Sequence, residues 1–255
     1  MERATLEVDG QAVNIASCTP GGGGGGGMGG GTASPQAMQA AKAAVQCYQQ
    51  NNMECALTQS QMACNLGHTD SCGNAAHLLL TLRNDPAGAA QMAQIACNAG
   101  SSSGCENLGM AKRKLGDTAG AYQAMSQSCQ MGLDVGCATL ANMDLERGDP
   151  ATAITNANKA LQFNPNRSSA HRQLGHAYLF QGYVDQALGY YSRAIQTAPI
   201  ADQGQAVTEE VKEPPLTLIQ NEITKLSPVF PQQAAAVQQI WPRLPGLAGG
   251  AAAPR

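Results

Sequence analysis

Residues 168–199 read SSAHRQLGHAYLFQGYVDQALGYYSRAIQTAP. The stretch falls into two helical runs around one break, Gly182-Tyr183, because glycine readily closes a helix in the left-handed conformation. Working outward, comparable breaks stand at Gly148-Asp149-Pro150, Gly116-Asp117-Thr118 and Asn84-Asp85-Pro86, separated by steps of 34, 32 and 32 residues. Counting 33 back from Asn84 reaches Asn51, inside Gln50-Asn51-Asn52. Each break has the same chemistry: Gly or Asn ends one helix, and Asp, or Pro in the first turn, opens the next. Five helical hairpins sharing one period predict an array in which each unit packs on its neighbours.

Composition agrees. The 255 residues carry a net charge of −3 with only 13% charged side chains, which leaves no basic field to track phosphates or anionic lipid and argues against nucleic-acid and membrane-surface partners. Aromatic residues are few (one Trp, six Tyr, three Phe), while Ala, Leu and Met abound, which suits closely spaced helices. No run of eighteen apolar residues is present to span a bilayer.

Eight of the nine cysteines form pairs with seven intervening residues: Cys47 and Cys55, Cys64 and Cys72, Cys97 and Cys105, Cys129 and Cys137. In the last three, the first Cys lies near the end of a second (B) helix and its mate near the start of the next first (A) helix. Antiparallel helices meeting at a tight elbow bring such Cα atoms to roughly 5–6 Å, the separation a disulfide needs. Each closure stabilises the fold by about 2.5 kcal/mol in the chain-entropy treatment. Persistent bridges point to an oxidising compartment, the periplasm, cell envelope or exterior.

The unit at 168–201 resembles a tetratricopeptide repeat: Leu174, Gly175, Tyr178, Ala187, Tyr191, Ala194 and Pro199 match seven of eight signature positions, with His171 where the family usually has Trp. Residues 134–167 keep Leu140, Ala141, Gly148, Ala153, Ala160 and Pro165 at the same spacings. Small residues at 175 and 187 let the A and B helices approach, and Leu174, Tyr178 and Tyr191 fill the space around that contact. The runs Ala63-Cys64-Asn65-Leu66-Gly67 with Ser71-Cys72, Ala96-Cys97 with Gly104-Cys105, and Ser128-Cys129-Gln130-Met131-Gly132 with Gly136-Cys137 are similar to the cysteine-rich Sel-one-like repeats, in which such a staple joins successive hairpins. The period is shorter than that family's, and Cys47 with Cys55 would staple within a hairpin instead.

These resemblances imply an all-α, right-handed superhelical solenoid of about five hairpins over 35–200. Before it stand an N-terminal segment (1–18), where Asp9-Gly10 between apolar alternations reads as a β-hairpin, and a flexible Gly-rich linker (19–34). After it come cap helices and a tail (201–255). Leu216, Ile219, Ile223 and Leu226 recur at helical spacing and 231–241 forms a second short run. They read as an end cap over the last repeat, with Trp241 packed against it. Residues 247–255 show no packing face.

Other chemistries are poorly supplied. No close Cys or His pair offers zinc spacing, and the glycine run lacks the Lys and Ser/Thr of a phosphate loop. His171 and His176 point about 140° apart on a helix. Neither a cofactor nor a catalytic residue is expected. Ile15-Ala16-Ser17-Cys18 imitates a lipoprotein processing site, making Cys18 a candidate lipid acceptor, although the preceding residues carry Glu2, Glu7 and Asp9 and lack an apolar core.

The tetratricopeptide resemblance further implies that A helices line a concave groove, with Glu106, Met110, Arg113, Asn142, Arg172 and His176 facing it. Such a polar surface suits a peptide or protein segment, held through its backbone or carboxylates. The expected function is a non-enzymatic scaffold of an exported or envelope assembly. Two alternatives follow: an enzyme that binds or hydrolyses β-lactams or peptidoglycan fragments, as associated with some cysteine-rich Sel-one-like proteins, or a structural subunit whose groove is filled by a neighbouring copy or its own C-terminal segment.

Overall fold

The computed structural model describes residues 6–8, 11–13, 33–198 and 214–248. The chain divides into two compact units, residues 1–131 and 132–255. In the first, β1 (Leu6–Val8) and β2 (Gln11–Val13) pair antiparallel with Glu7 opposite Ala12. Three helical hairpins follow: α1 (Pro35–Gln49) with α2 (Met53–Asn65), α3 (Thr69–Thr81) with α4 (Pro86–Asn98), and α5 (Ser102–Lys114) with α6 (Thr118–Gln130). The second unit holds α7 (Asp134–Glu146) with α8 (Pro150–Phe163) and α9 (Ser168–Leu179) with α10 (Val184–Thr197). Its C-terminal part adds α11 (Pro215–Leu226), α12 (Ala234–Ile240) and α13 (Pro245–Ala248). Cys18, the whole glycine run, Pro199 and 249–255 lie outside the described residues.

The hairpin turns form for the reasons legible in their sequence. Each closes on one residue of positive φ: Asn51 and Asn84 in the first two, Gly116, Gly148 and Gly182 in the others. Asp85, Asp117 and Asp149 then cap the B helices, each accepting a hydrogen bond from the backbone N–H three residues on at 2.9, 2.8 and 3.0 Å, a contact worth about 1 kcal/mol.

The elbows between hairpins are tight because small residues permit it. A Cβ at Gly104 would come 2.6 Å from that of Ala96, and beside this contact Cys97 and Cys105 are bridged with Cα atoms 4.4 Å apart. Cys64 and Cys72 staple α2 to α3 in the same way, at 4.8 Å. Cys47 and Cys55 instead join α1 to α2 across Asn51, at 5.6 Å. Cys129 and Cys137 are each in the disulfide-bonded state.

The first unit's core is built from small and medium side chains such as Ala76, Leu78, Ala89, Ala93 and Leu108. In the second, Ile219 and Ile223 of α11, Ile240 of α12 and Leu244 join Val184, Leu188 and Tyr191 of α10, with Trp241 partly buried against them. One expectation needs correction: Leu247, assigned to a stretch with no packing face, packs on this cluster from α13. A short proline-initiated turn suffices to carry it there.

Candidate functional site: a carboxylate held on the A-helix face

Arg172 and His176 stand one turn apart on α9, so both project from one face of the helix. Both are buried, His176 completely, and what covers them is α11. Glu222 reaches back fifty residues along the chain: its Oε2 accepts a hydrogen bond from Arg172 Nε at 2.6 Å and another from His176 Nε2 at 2.7 Å.

A carboxylate can only accept, so His176 carries its proton on Nε2 toward Glu222. The other ring nitrogen, Nδ1, lies 2.8 Å from the hydroxyl of Tyr191 on α10. In the neutral ring Nδ1 is therefore the acceptor and Tyr191 the donor. The ring of Tyr191 meets that of His176 edge-on, with centroids 5.3 Å apart.

Burial alone would raise the Glu222 carboxyl. The His176 hydrogen bond and the Arg172 charge outweigh it and hold the group below its ordinary range, so it is ionised at neutral pH. Burial pushes the Tyr191 phenol well above its usual value, which keeps its proton in place. The ensemble thus fixes a carboxylate between a guanidinium and an imidazole. Tyr191 and His176 are both wholly buried.

Apolar contacts flank the charge on both sides. Ile219 and Ile223 bury with Leu179, Leu188 and Tyr191, while Leu226 and Phe230 bury with Ala141, Leu145, Leu174 and Phe180. The rings of Phe180 and Phe230 stack with centroids 4.4 Å apart. At the rim, Lys225 Nζ pairs with Glu146 Oε1 at 2.8 Å, and Asn142 Nδ2 donates to the same oxygen at 3.3 Å. Glu146 thereby links Asn142 on α7 to α11.

The six residues expected to line a groove are distributed as follows. Arg172 and His176 lie beneath α11, and Asn142, half-buried, is tied to it through Glu146. In the first unit Glu106 is buried, Met110 packs partly against the core and Arg113 is exposed on the last turn of α5. Sequence reasoning did not identify Glu222, Lys225 or Glu146. The available signal was a lone acid inside the apolar spacing Ile219, Ile223, Leu226. Among the described residues no group of three or more His, Cys, Asp or Glu could hold a metal ion, and no described helix is long and apolar enough to cross a membrane.

Solved structures with the same architecture include that of pilF from Pseudomonas aeruginosa, at 17% identity, covering 85% of this chain and 93% of that one with a TM-score of 0.55. YrrB, described as a TPR protein with an unusual peptide-binding site, matches at 18% identity over 65% of this chain and 88% of its own, TM-score 0.50. The fold is that of the tetratricopeptide-repeat proteins. MamA shares it at 14% identity, over 64% of this chain and 91% of that one, TM-score 0.52. At such identities the likeness is one of fold. No family model and no curated protein matches the sequence. The elbows stapled by Cys64–Cys72 and Cys97–Cys105 are where the Sel-one-like resemblance lies.

Proposed function

We propose that the chain is a non-enzymatic interaction scaffold whose A-helix face takes a segment of another protein. The observation that carries this reading is the seat of Glu222. An A-helix surface that desolvates Arg172 and His176 and supplies them with a carboxylate from a separate helix has the means to recognise an acidic protein segment. The peptide-binding site ascribed to YrrB, a protein of the same fold, supports such a use of the architecture. The disulfide-bonded cysteines favour work in the periplasm, the envelope or outside the cell, where thiol buffers do not hold bridges open.

The test is site-specific photo-crosslinking in the host cell. A photoreactive side chain at Arg113 or Asn142, on A helices, is expected to yield discrete protein adducts, whereas one at Gln94 or Thr155, on B helices, yields none. Equal labelling from both sets, or no adduct from any, overturns the reading. Intact mass before and after reduction checks the compartment: eight thiols that appear only on reduction support export, nine free thiols refute it, and a lipid mass on Cys18 identifies an anchor.

A further inference from the structure

Helix α11 occupies the place the proposed partner would take, and we infer that it is an internal stand-in for that partner. The face of α7 and α9 accepts, from another protein, a short amphipathic helix bearing an acid flanked by aliphatic residues three positions before, one after and four after. Helix α11 competes with it. The inference rests on the scaffold reading and adds the class of partner and its regulation.

Four observations carry it. Ile219, Glu222, Ile223 and Leu226 share one face of α11, so a charge sits in the middle of an apolar stripe. A cap needs only the stripe, and the charge adds selectivity. Second, that charge meets a built receptor, Arg172 and His176, both buried and both donating to one carboxylate oxygen. Third, a second ion pair of opposite sense, Lys225 to Glu146, fixes which way the helix lies, as a recognition contact does. Fourth, Ala236, Ile240 and Leu244 also pack against α10, so covering the last repeat does not fall to α11 alone.

Competition follows from the linkage of the two binding events. The face is available to an outside helix only in the fraction of molecules whose own α11 is released, and the apparent affinity is reduced by that fraction. Loosening α11 must therefore tighten binding in trans.

The experiment uses the full oxidised chain and a fluorescein-labelled peptide with the sequence of residues 214–230, followed by anisotropy. E222K sets a lysine against Arg172 and releases α11, as hydrogen exchange over 215–226 would report. It is expected to bind the peptide at least ~10-fold more tightly than the unaltered chain. R172A added to E222K abolishes that gain, and a peptide carrying E222Q binds at least ~10-fold more weakly. Should exchange across α9 and α10 show that E222K unfolds the second unit, E222Q in the chain repeats the test with a smaller gain. Equal affinity for altered and unaltered chains overturns the inference, and so does dimerisation of the unaltered chain through exchanged α11, which would make a second copy the occupant. Failure of the peptide with crosslinks at Asn142 intact removes this inference and leaves the scaffold. Peptide binding without crosslinks removes the scaffold reading and this inference with it, and leaves α11 as a cap that the peptide can replace.

Discussion

Gly175 shows how much of this molecule depends on single atoms. A Cβ added there would clash with the ring carbons Cε1 and Cδ1 of Tyr191. Tyr191 cannot retreat, because it is wholly buried and its hydroxyl is committed to His176. Gly109 on α5 makes the corresponding approach to Met125, whose side-chain carbons would lie 2.8 Å from a new Cβ, but a thioether chain can swing aside. We therefore expect G175A to destabilise by about 2–3 kcal/mol and G109A by roughly 1 or less, read from urea midpoints of the two variants. Y191F keeps the ring and removes only the donor to His176 Nδ1. It should cost about 1–3 kcal/mol, because a buried nitrogen is then left without its partner, and it should do so without the packing strain of G175A. A loss of stability in G109A equal to that in G175A would refute the assignment.

Helix by helix, the sequence announced the repeats far better than the segment that covers them. Asn84, Gly116, Gly148 and Gly182 are punctuation acting within a few residues, and each turn formed where the local chemistry required it. The elbow pairs were legible for the same reason, since only seven residues lie between Cys64 and Cys72 and between Cys97 and Cys105. Helix α11 was legible as an amphipathic helix, but its destination was not: Arg172 and Glu222 are fifty residues apart, and no local rule says which apolar face a late helix will choose. Its docking should respond to acid in a defined sense. The folded Glu222 carboxyl is held below its ordinary value of 4.5, so the stability it gives is complete above that value and is lost as pH falls through the lower folded value. Amide exchange in α11 should rise as pH drops below about 4.5, after correction for intrinsic rates, and E222Q should flatten that dependence. Unchanged protection of α11 down to acid unfolding of α9 would contradict it.

Over the whole molecule, the two units rely on different means of stabilisation. Three disulfides lie entirely within the first, whereas the second contains one cysteine, Cys137, and adds the α11 ion pairs and the Phe180–Phe230 stack. Reduction should therefore loosen α1 to α5, by about 2.5 kcal/mol for each bridge lost, and leave α9 and α10 protected. Exchange measured peptide by peptide with and without reductant would show it, and equal loosening of both units would argue against this division. The placement of the staples also bears on how the native pairing is reached. Cys55 lies eight residues from Cys47 but only nine from Cys64, so in a disordered chain the wrong partner is almost as near as the right one. Both Cys55 and Cys64 belong to α2, and once that helix winds they stand about 13.5 Å apart along its axis, beyond the reach of a sulfur–sulfur bond. The order of events at birth is thereby set: a chain that coils before it meets oxidant links correctly, and one oxidised while still slack can be locked into a register from which α2 never winds.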